Sequence, residues 1–391
     1  MKKVLRILNR FNIGGPTHNA TYLAKYLLPE YTTKLIGGKK LDSEESSEKI
    51  LNDHKIDYII LDDMNRSINL IKDLKTFFKI KKIIKEFKPD IVHTHASKSG
   101  ALGRLAAIIM KVPVIVHTFH GHVFHSYFGK FKTKMYILIE RYLASKSSAI
   151  IAISKLQKEE LTQDYKICDV NKVSVVPLGF DLNKFQINQE SNRNAFRTEF
   201  NLSSDEIAIG IVGRLTSIKN HRLFLKSAKE LTLKTSKNIK FFVIGDGEDR
   251  EELFLLCNEL NLSYEYINLK NHSAAVYFTS WRRDMECIYS GLDIVALSSL
   301  NEGTPVTLIE AQAANKPIVS TNVGGVLDTV LEGSTALIAK NTVEDFTRKL
   351  LILSEDFELR SKMGSLGYNH VKNLFSYERL VNDIKKLYKS L

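Results

Sequence analysis

Short apolar runs alternate with longer amphipathic stretches along this chain, and the alternation starts afresh near its middle. Runs of this kind, flanked by helical patterns, form strands buried on both faces of a parallel sheet, with the helices as crossovers. In the first half they predict strands at Val4–Leu8, Thr33–Ile36, Tyr58–Leu61, Ile91–His93, Val114–His117, Ala149–Ile153 and Val173–Val176, with helices such as Asn69–Phe87 and Ser99–Met110 between them. In the second half they predict strands at Ile207–Val212, Phe241–Ile244, Ile294–Leu297, Ile318–Ser320 and Ala336–Ile338. Helical spacing there covers Asn220–Leu231, Asp249–Leu260, Pro305–Ala314, Val343–Leu353 and Tyr377–Leu391. A chain of 391 residues also exceeds what one core usually holds. The expected class is α/β, with two Rossmann-like domains facing one another across a cleft, since ligands of such sheets sit beyond the carboxyl ends of the strands. The polar stretch Asp181–Arg193 lacks strong periodicity and is the expected joint. It gives domains 1–184 and 185–375, with a terminal helix at 376–391 expected to pack back on the first.

The hydrophobic fraction, 44%, is that of a globular protein, and fibrous or disordered classes are excluded. The first ten residues carry charges through their apolar part and lack the core of a signal peptide. The longest apolar stretch, Ala101 to Val116, is interrupted by Arg104, Lys111 and Pro113, so no membrane span is expected. Cys168, Cys257 and Cys287 have neither metal-ligand spacing nor an even count, and are expected as reduced thiols in a cytoplasmic protein. The net charge of +12 is unevenly placed: 31 basic residues face 18 acidic ones up to position 185, and 25 face 26 beyond it. A basic half attracts anions. No nucleic-acid-binding module is recognisable, so nucleic acid is not an expected partner.

Four segments carry candidate chemistry. In the first, Asn301 to Ala311, Thr304 suits an N-cap and Pro305 the first helical position. A helix starting there turns free N–H groups and its positive end toward a phosphate. Glu302 lies ahead of that helix and Glu310 inside it, so the two carboxylates reach different parts of one ligand. On spacing alone the segment reads more readily as a capped surface helix with two solvated glutamates. In the second, Gly213 ends a strand and Arg214 and Lys219 follow before a helix. Two such cations neutralise a diphosphate without a metal, or simply lie in a surface loop. The third, Asn12 to Asn19, has Gly14 and Gly15 after the first strand, where glycine permits close backbone approach to a ligand. The fourth, His117 to His122, joins His93, His95 and His125 in a set of six histidines within 33 positions. His93/His95 and His120/His122 are i, i+2 pairs, which share a face of a strand. No Cys or carboxylate stands at a zinc spacing, so an imidazole touching substrate is preferred to a metal site. No Asp-x-Asp occurs anywhere in the chain, and no Gly-x-Ser-x-Gly.

In order and spacing these segments resemble the retaining GT-B glycosyltransferases of family 4. The resemblance runs through Gly14-Gly15, Asp90 to His95, Thr118 to Gly121, Ala152 to Ser154, Val176 to Asp181, Val212 to Arg214 with Lys219-Asn220, Gly245 to Gly247, Glu302 to Glu310 and Gly324-Gly325. It implies that Arg214 and Lys219 grip the donor diphosphate, that Glu310 binds the donor ribose, and that Glu302 lies beside the transferred sugar. It implies further that the loop of Gly14 and Gly15 turns its backbone to the diphosphate, and that His120 sits near the sugar and the reacting centre. Thr304, Pro305 and Val306 match the turn that contacts sugar and phosphate, and Trp281 and Arg282 lie where the family contacts the base, largely through backbone. Three positions depart from the common pattern: Asn315 and Ser280 stand where glycine is usual, and Pro-Thr-His follows the first glycines.

The reading that follows is a metal-independent, hexosyl-type transferase without a cofactor. Its substrate is a UDP- or GDP-linked sugar, and its acceptor a glycan or lipid-linked glycan of surface polysaccharide. The donor is expected on the second domain and the acceptor on the first, with retention by front-face attack. The basic amphipathic segment Thr76–Lys88, and Phe124 to Met135 with Lys130, Lys132 and Lys134, suit peripheral binding to an anionic membrane at its inner face, although the first segment also suits packing on the sheet. Two other readings share the architecture. A nucleotide-sugar 2-epimerase needs acid/base carboxylates deep in the cleft and no acceptor. A non-catalytic partner subunit keeps the fold alone. Intact Arg214, Lys219, Glu302, Glu310 and His120 favour the transferase.

Overall fold

A computed structural model describes residues 1–12, 15–40, 46–65, 67–120, 130–267 and 273–391. The chain forms two compact units, residues 1–180 with 375–391, and residues 181–374.

In the first unit the strands are β1 (Lys2–Arg10), β2 (Tyr31–Gly38), β3 (Tyr58–Leu61), β4 (Ile91–His95), β5 (Val114–Phe119), β6 (Ala149–Ala152) and β7 (Val173–Val175). All pair in parallel, in the order β3-β2-β1-β4-β5-β6-β7. Alternation along β1 sends Leu5 and Ile7 to one core, with Ile80 and Ile84 of the helix Leu70–Phe87, and Val4 to another on the opposite face. That opposite face is covered by the last helix of the chain, Tyr377–Ser390. Leu380, Val381 and Ile384 pack there against Val4, Ile91, Val116 and Ile151. Ser376 caps this helix, accepting from the Arg379 N–H, and Arg379 donates to the carbonyls of Pro177 (2.7 Å) and Leu178 (2.6 Å). An amphipathic terminal helix has no partner of its own, and the second face of this sheet supplies one.

In the second unit the strands are β8 (Ile207–Val212), β9 (Ile239–Ile244), β10 (Tyr264–Tyr266), β11 (Val276–Phe278), β12 (Ile294–Leu297), β13 (Ile318–Thr321) and β14 (Ala336–Ala339). They are again all parallel, in the order β10-β11-β9-β8-β12-β13-β14. The edge strand β10 and its neighbour β11 escape the sequence pattern, each having three residues, too few to show alternation.

The stretch expected as an aperiodic joint holds instead the start of a helix, Gln189–Glu199. Only Phe196 and Arg197 of it are buried, which explains the missing periodicity. Phe196 packs with its ring tilted against Phe200 and Phe242, and Arg193 pairs with Asp293 at 2.8 Å. The helix Phe357–Phe375 was likewise outside the expected elements. Asn315 has φ +58° and Ser280 φ +55°, the left-handed conformation for which glycine is common.

The role of the terminal helix can be measured. Ile384, 2% exposed, cut back to alanine is expected to lower the opening free energy of the first unit by about 2–5 kcal/mol. Native-state hydrogen exchange reads this unit by unit. Unchanged protection in residues 1–180 would show that the helix adds nothing to that core.

Candidate active site

In a parallel sheet every strand delivers its chain to the same edge, and in the second unit four neighbouring strands deliver the residues of interest. β8 leads to Gly213 and Arg214, β9 to Gly245-Asp246-Gly247, β12 to Ser298 through Glu302, and β13 to Gly324-Gly325. The strand order reverses between β8 and β12, which is where such sheets hold ligands.

The structure joins residues that the sequence separates. Lys219 Nζ lies 2.6 Å from Glu302 Oε1, and Ser299 Oγ donates to that same oxygen at 2.6 Å. The aliphatic stem of Lys219 runs over Gly213, with Cε 3.7 Å from where a Cβ would stand. Ser298 Oγ bonds the carbonyls of Lys219 (3.0 Å) and Asn220 (2.9 Å), and Leu300 N bonds Ile218 O at 2.8 Å. The β8 and β12 loops are thereby tied together. Among the described residues Arg214 pairs with Glu248, at 3.1 Å and well exposed.

Behind Glu302, Gly325 N donates to the Glu302 carbonyl at 3.1 Å. Gly324 has φ +48°, and a Cβ on it would stand 1.8 Å from that carbonyl oxygen. The pair of glycines is thus a backbone-to-backbone support for the Glu302 loop, where no side chain fits.

The helix expected to begin at Pro305 begins one residue later, as Val306–Ala313. Thr304 is not its N-cap. Pro305 takes that place with ψ 95°, and no side chain caps the first turn. The reason is that the preceding backbone is held by Gly325 instead. Leu308 N already bonds the Pro305 carbonyl at 3.0 Å, so the N–H groups of Val306 and Thr307 are the ones left without a helical partner at this end. Two turns along, Glu310 accepts from Tyr289 Oη at 3.1 Å. Loss of solvent pushes its carboxyl up to about 7, against the pull of Lys184 and the Tyr289 hydroxyl, while Glu286 adds to the rise.

Arg282 spends its guanidinium on Glu199 (2.9 Å) and Asp284 (2.6 Å), which leaves backbone for any ligand contact at that position. Trp281 is exposed. Ser280 Oγ donates to Asp246 Oδ2 at 3.0 Å, and its carbonyl accepts from Gly245 N at 3.0 Å, so the β9 loop and the 280–282 turn are one body.

In the first unit, Gly15 opens the helix Gly15–Tyr26. Asn19 bonds the Gly15 carbonyl (3.0 Å) and both backbone groups of Gly179 (2.9 Å each). Gly14 lies outside the described residues, as do Gly121, His122, Phe124 and His125. His93 and His95 do share a face: their rings stack at 4.5 Å, and His95 stacks on His120 at 5.1 Å. His95 Nδ1 is 2.8 Å from His120 Nε2. Arg6, fully buried, reaches His93 Nδ1 (3.0 Å), His95 Nε2 (3.1 Å) and Tyr388 Oη (3.0 Å). His117 points to the other face, toward Thr94 at 2.8 Å. Burial first, and the Arg6 charge second, lower His120 to about 4; His95 is held well below its ordinary value by burial and then by neighbouring His93. Among the described residues no three His, Cys, Asp or Glu are grouped to hold a metal.

Residues 192–370 match the model for glycosyl transferases group 1, and residues 13–184 that for glycosyltransferase family 4. The chain is 32% identical, over 83% of its length and 81% of the relative's, to an Escherichia coli UDP-Gal:alpha-D-GlcNAc-diphosphoundecaprenol alpha-1,3-galactosyltransferase. The chain belongs to the family 4, group 1 glycosyltransferases. A Staphylococcus aureus capsular polysaccharide biosynthesis glycosyltransferase, CapM, is 28% identical over 88% of each chain. Anabaena HepE in complex with UDP has the same fold, with TM-score 0.81 and 18% identity over the whole of both chains. The architecture of this glycosyltransferase is thus that of the GT-B enzymes.

Sequence reasoning missed Ser299, Tyr289, Arg6 and Tyr388. Ser299 carried a faint signal, as a polar residue just after a buried strand. Tyr388 carried none, being one aromatic of an amphipathic helix.

The raised carboxyl of Glu310 predicts a pH signature. A carboxyl whose folded value lies above its unfolded value keeps its proton longer in the folded state, so stability falls as pH rises between the two. From about pH 4.5 to about 7, the wild type should lose stability relative to Glu310→Gln, by on the order of 3 kcal/mol at most. Urea unfolding of both proteins across that window measures it. A constant difference would rule out the buried, proton-holding carboxyl.

Proposed function

We propose that this glycosyltransferase is a retaining, metal-independent enzyme of hexosyl type. It moves a sugar from a UDP- or GDP-linked donor to a lipid-linked or glycan acceptor in the making of surface polysaccharide. The observation that carries this reading is the convergence of Arg214, Lys219, Glu302 and the open helix start at Val306 on the β8/β12 switch point.

As the bond from anomeric carbon to phosphate oxygen breaks, negative charge grows on the departing diphosphate. Lys219 and the N–H groups of Val306 and Thr307 are in place before that happens, which is the condition for strong electrostatic stabilisation. Arg214 joins them at little cost, because an exposed pair such as the one with Glu248 is worth little. Glu302 uses Oε1 for Lys219 and Ser299, and Oε2 serves the sugar hydroxyls. Glu310 takes the ribose hydroxyls, Thr304 and Pro305 flank the sugar and phosphate, and the backbone of Trp281 and Arg282 takes the base. The resemblance of the motifs supports contacts of the Gly14 and Gly15 backbone with the diphosphate and of the His120 imidazole with the sugar. The acceptor hydroxyl attacks on the face the diphosphate leaves, and the departing phosphate accepts its proton, so configuration is retained without a covalent enzyme intermediate. The donor and acceptor named for the Escherichia coli relative, and the UDP and UDP-glucose held by HepE, support a UDP-sugar and a polyprenol diphosphate as first candidates.

Thermal stabilisation without added metal tests the donor site, with UDP, GDP and ADP as ligands. One nucleotide should raise the melting temperature. Arg214→Ala should abolish the shift and lower kcat/KM about 10²-fold or more. Folded protein that none of the three stabilises would reject the assignment.

An acceptor on a lipid calls for a membrane surface. The helix Leu70–Phe87 buries Ile80 and Ile84 but leaves Leu70, Ile71, Leu74 and Phe78 exposed, with lysines between them. Leu138 and Tyr142 of the helix Lys130–Lys146 are exposed as well. No helix among the described residues is long and apolar enough to cross a membrane. Apolar side chains among lysines instead suit insertion at an anionic surface. The protein should float with liposomes rich in anionic lipid, less so at high salt, and less again as Leu70→Ser/Leu74→Ser. Absence from the floated fraction at low salt would eliminate this part of the reading.

A further inference from the structure

Arg6 is a full positive charge at the centre of the first sheet, with no exposed surface and no carboxylate partner among the described residues. Its Nε has no partner there either. The buried arginine on the opposite face makes the contrast: Arg104 pairs with Glu140 at 2.7 Å. A buried charge facing only neutral groups is costly for stability. The neutral groups around Arg6 are of one kind, two imidazoles and a phenol, and their contacts decide where the protons are.

Guanidinium only donates. Arg6 Nη1 donates to His95 Nε2, at 3.1 Å, so that nitrogen bears no proton. Neutral His95 then carries its proton on Nδ1, which lies 2.8 Å from His120 Nε2 and donates to it. His120 Nε2 is therefore an acceptor, and neutral His120 carries its own proton on Nδ1. That nitrogen is buried and has no partner among the described residues. The other branch obeys the same rule. His93 Nδ1 receives Arg6 Nη1 at 3.0 Å and the Tyr388 hydroxyl at 2.6 Å, while its Nε2–H is left for Thr118 Oγ1 at 2.7 Å. Tyr388 Oη in turn accepts from Arg6 Nη2. Once Arg6 is fixed, every proton on the path from Arg6 through His95 to His120 is assigned, while on the other branch Arg6 Nη1 and the Tyr388 hydroxyl share the single lone pair of His93 Nδ1.

We infer that Arg6 is a positioning residue for the transfer reaction: acting through His95, it fixes His120 as the Nδ1–H tautomer, and so presents a hydrogen-bond donor, not a base, to a substrate oxygen. Tyr388 anchors the other end of the guanidinium, so the terminal helix takes part in setting that proton. The catalytic half of this inference rests on the role of His120 proposed above; the tautomer half does not.

Nitrogen-15 spectra of the histidine rings in the whole protein separate the two. His120, assigned by its loss in His120→Asn, should show the Nδ1–H pattern at neutral pH. Arg6→Met should convert it to a mixture of tautomers, and Arg6→Lys, still a pure donor, should restore it in part. kcat should fall roughly 10- to 100-fold in Arg6→Met, the worth of one directed hydrogen bond, with KM for the nucleotide sugar unchanged. His120→Asn, whose amide N–H stands near the Nδ1 position, should keep more activity than His120→Gln. An Nε2–H pattern for His120 in the wild type overturns the inference. An unchanged pattern in Arg6→Met overturns the part given to Arg6. Full turnover in both His120 variants overturns the catalytic role of His120 while the spectra still decide the tautomer.

Discussion

Parallel pairing puts the carboxyl ends of all strands of a sheet on one edge, and the chemistry of this protein depends on that constraint. Lys219 and Glu302 are 83 residues apart, yet they meet at 2.6 Å because one follows β8 and the other β12, which are neighbours. Gly324-Gly325 follows β13, the next strand, and supports the Glu302 loop from behind. The same constraint acts in the first unit, where Arg6 on β1, His95 on β4 and His120 after β5 come from three strands in succession. Neither cluster is local in sequence, and each comes from strand order.

The two sites handle charge in opposite ways. In the second unit the cations are partly solvated and paired with carboxylates, Lys219 tightly with Glu302 and Arg214 loosely and exposed with Glu248, so Arg214 is free to be redirected. In the first unit the cation is sealed off and paired with neutral groups, so it cannot be redirected. A movable charge suits the binding of an anion that comes and goes. A sealed charge suits the fixing of protons on its neighbours, because in a medium of low polarity a donor-only group leaves them one arrangement.

Backbone conformation carries as much of this loop cluster as side chains do. Ser280 adopts a left-handed conformation that glycine would take with less strain, and compensates through bonds to Gly245 and Asp246. Asn315 does the same after the helix Val306–Ala313, as an asparagine can. The start of that helix is shaped from outside, by Gly325 bonding the Glu302 carbonyl, and not by Thr304. Thr304 at the cap was the natural expectation from residue preference, but preference describes isolated helix ends, and this end is held by another loop.

By itself the sequence determined the class of fold, most strands and helices, and the pairing of motifs that marks the family, because buried parallel strands and their loops leave a periodic record. It was silent on the short strands β10 and β11, on the helix Gln189–Glu199 with its few buried residues, and on the helix Phe357–Phe375, where two of the buried positions are Gly364 and Gly367 and leave no apolar mark. It named Arg214, Lys219, Glu302, Glu310 and His120 one at a time. Only the tertiary structure decided that Lys219 and Glu302 are partners, that Glu310 has Tyr289 over it, and that His120 ends a chain of hydrogen bonds starting at Arg6 and anchored by Tyr388. Those are long-range contacts, set by which strands lie side by side and by which face of the sheet the last helix covers, and no local pattern of residues encodes them.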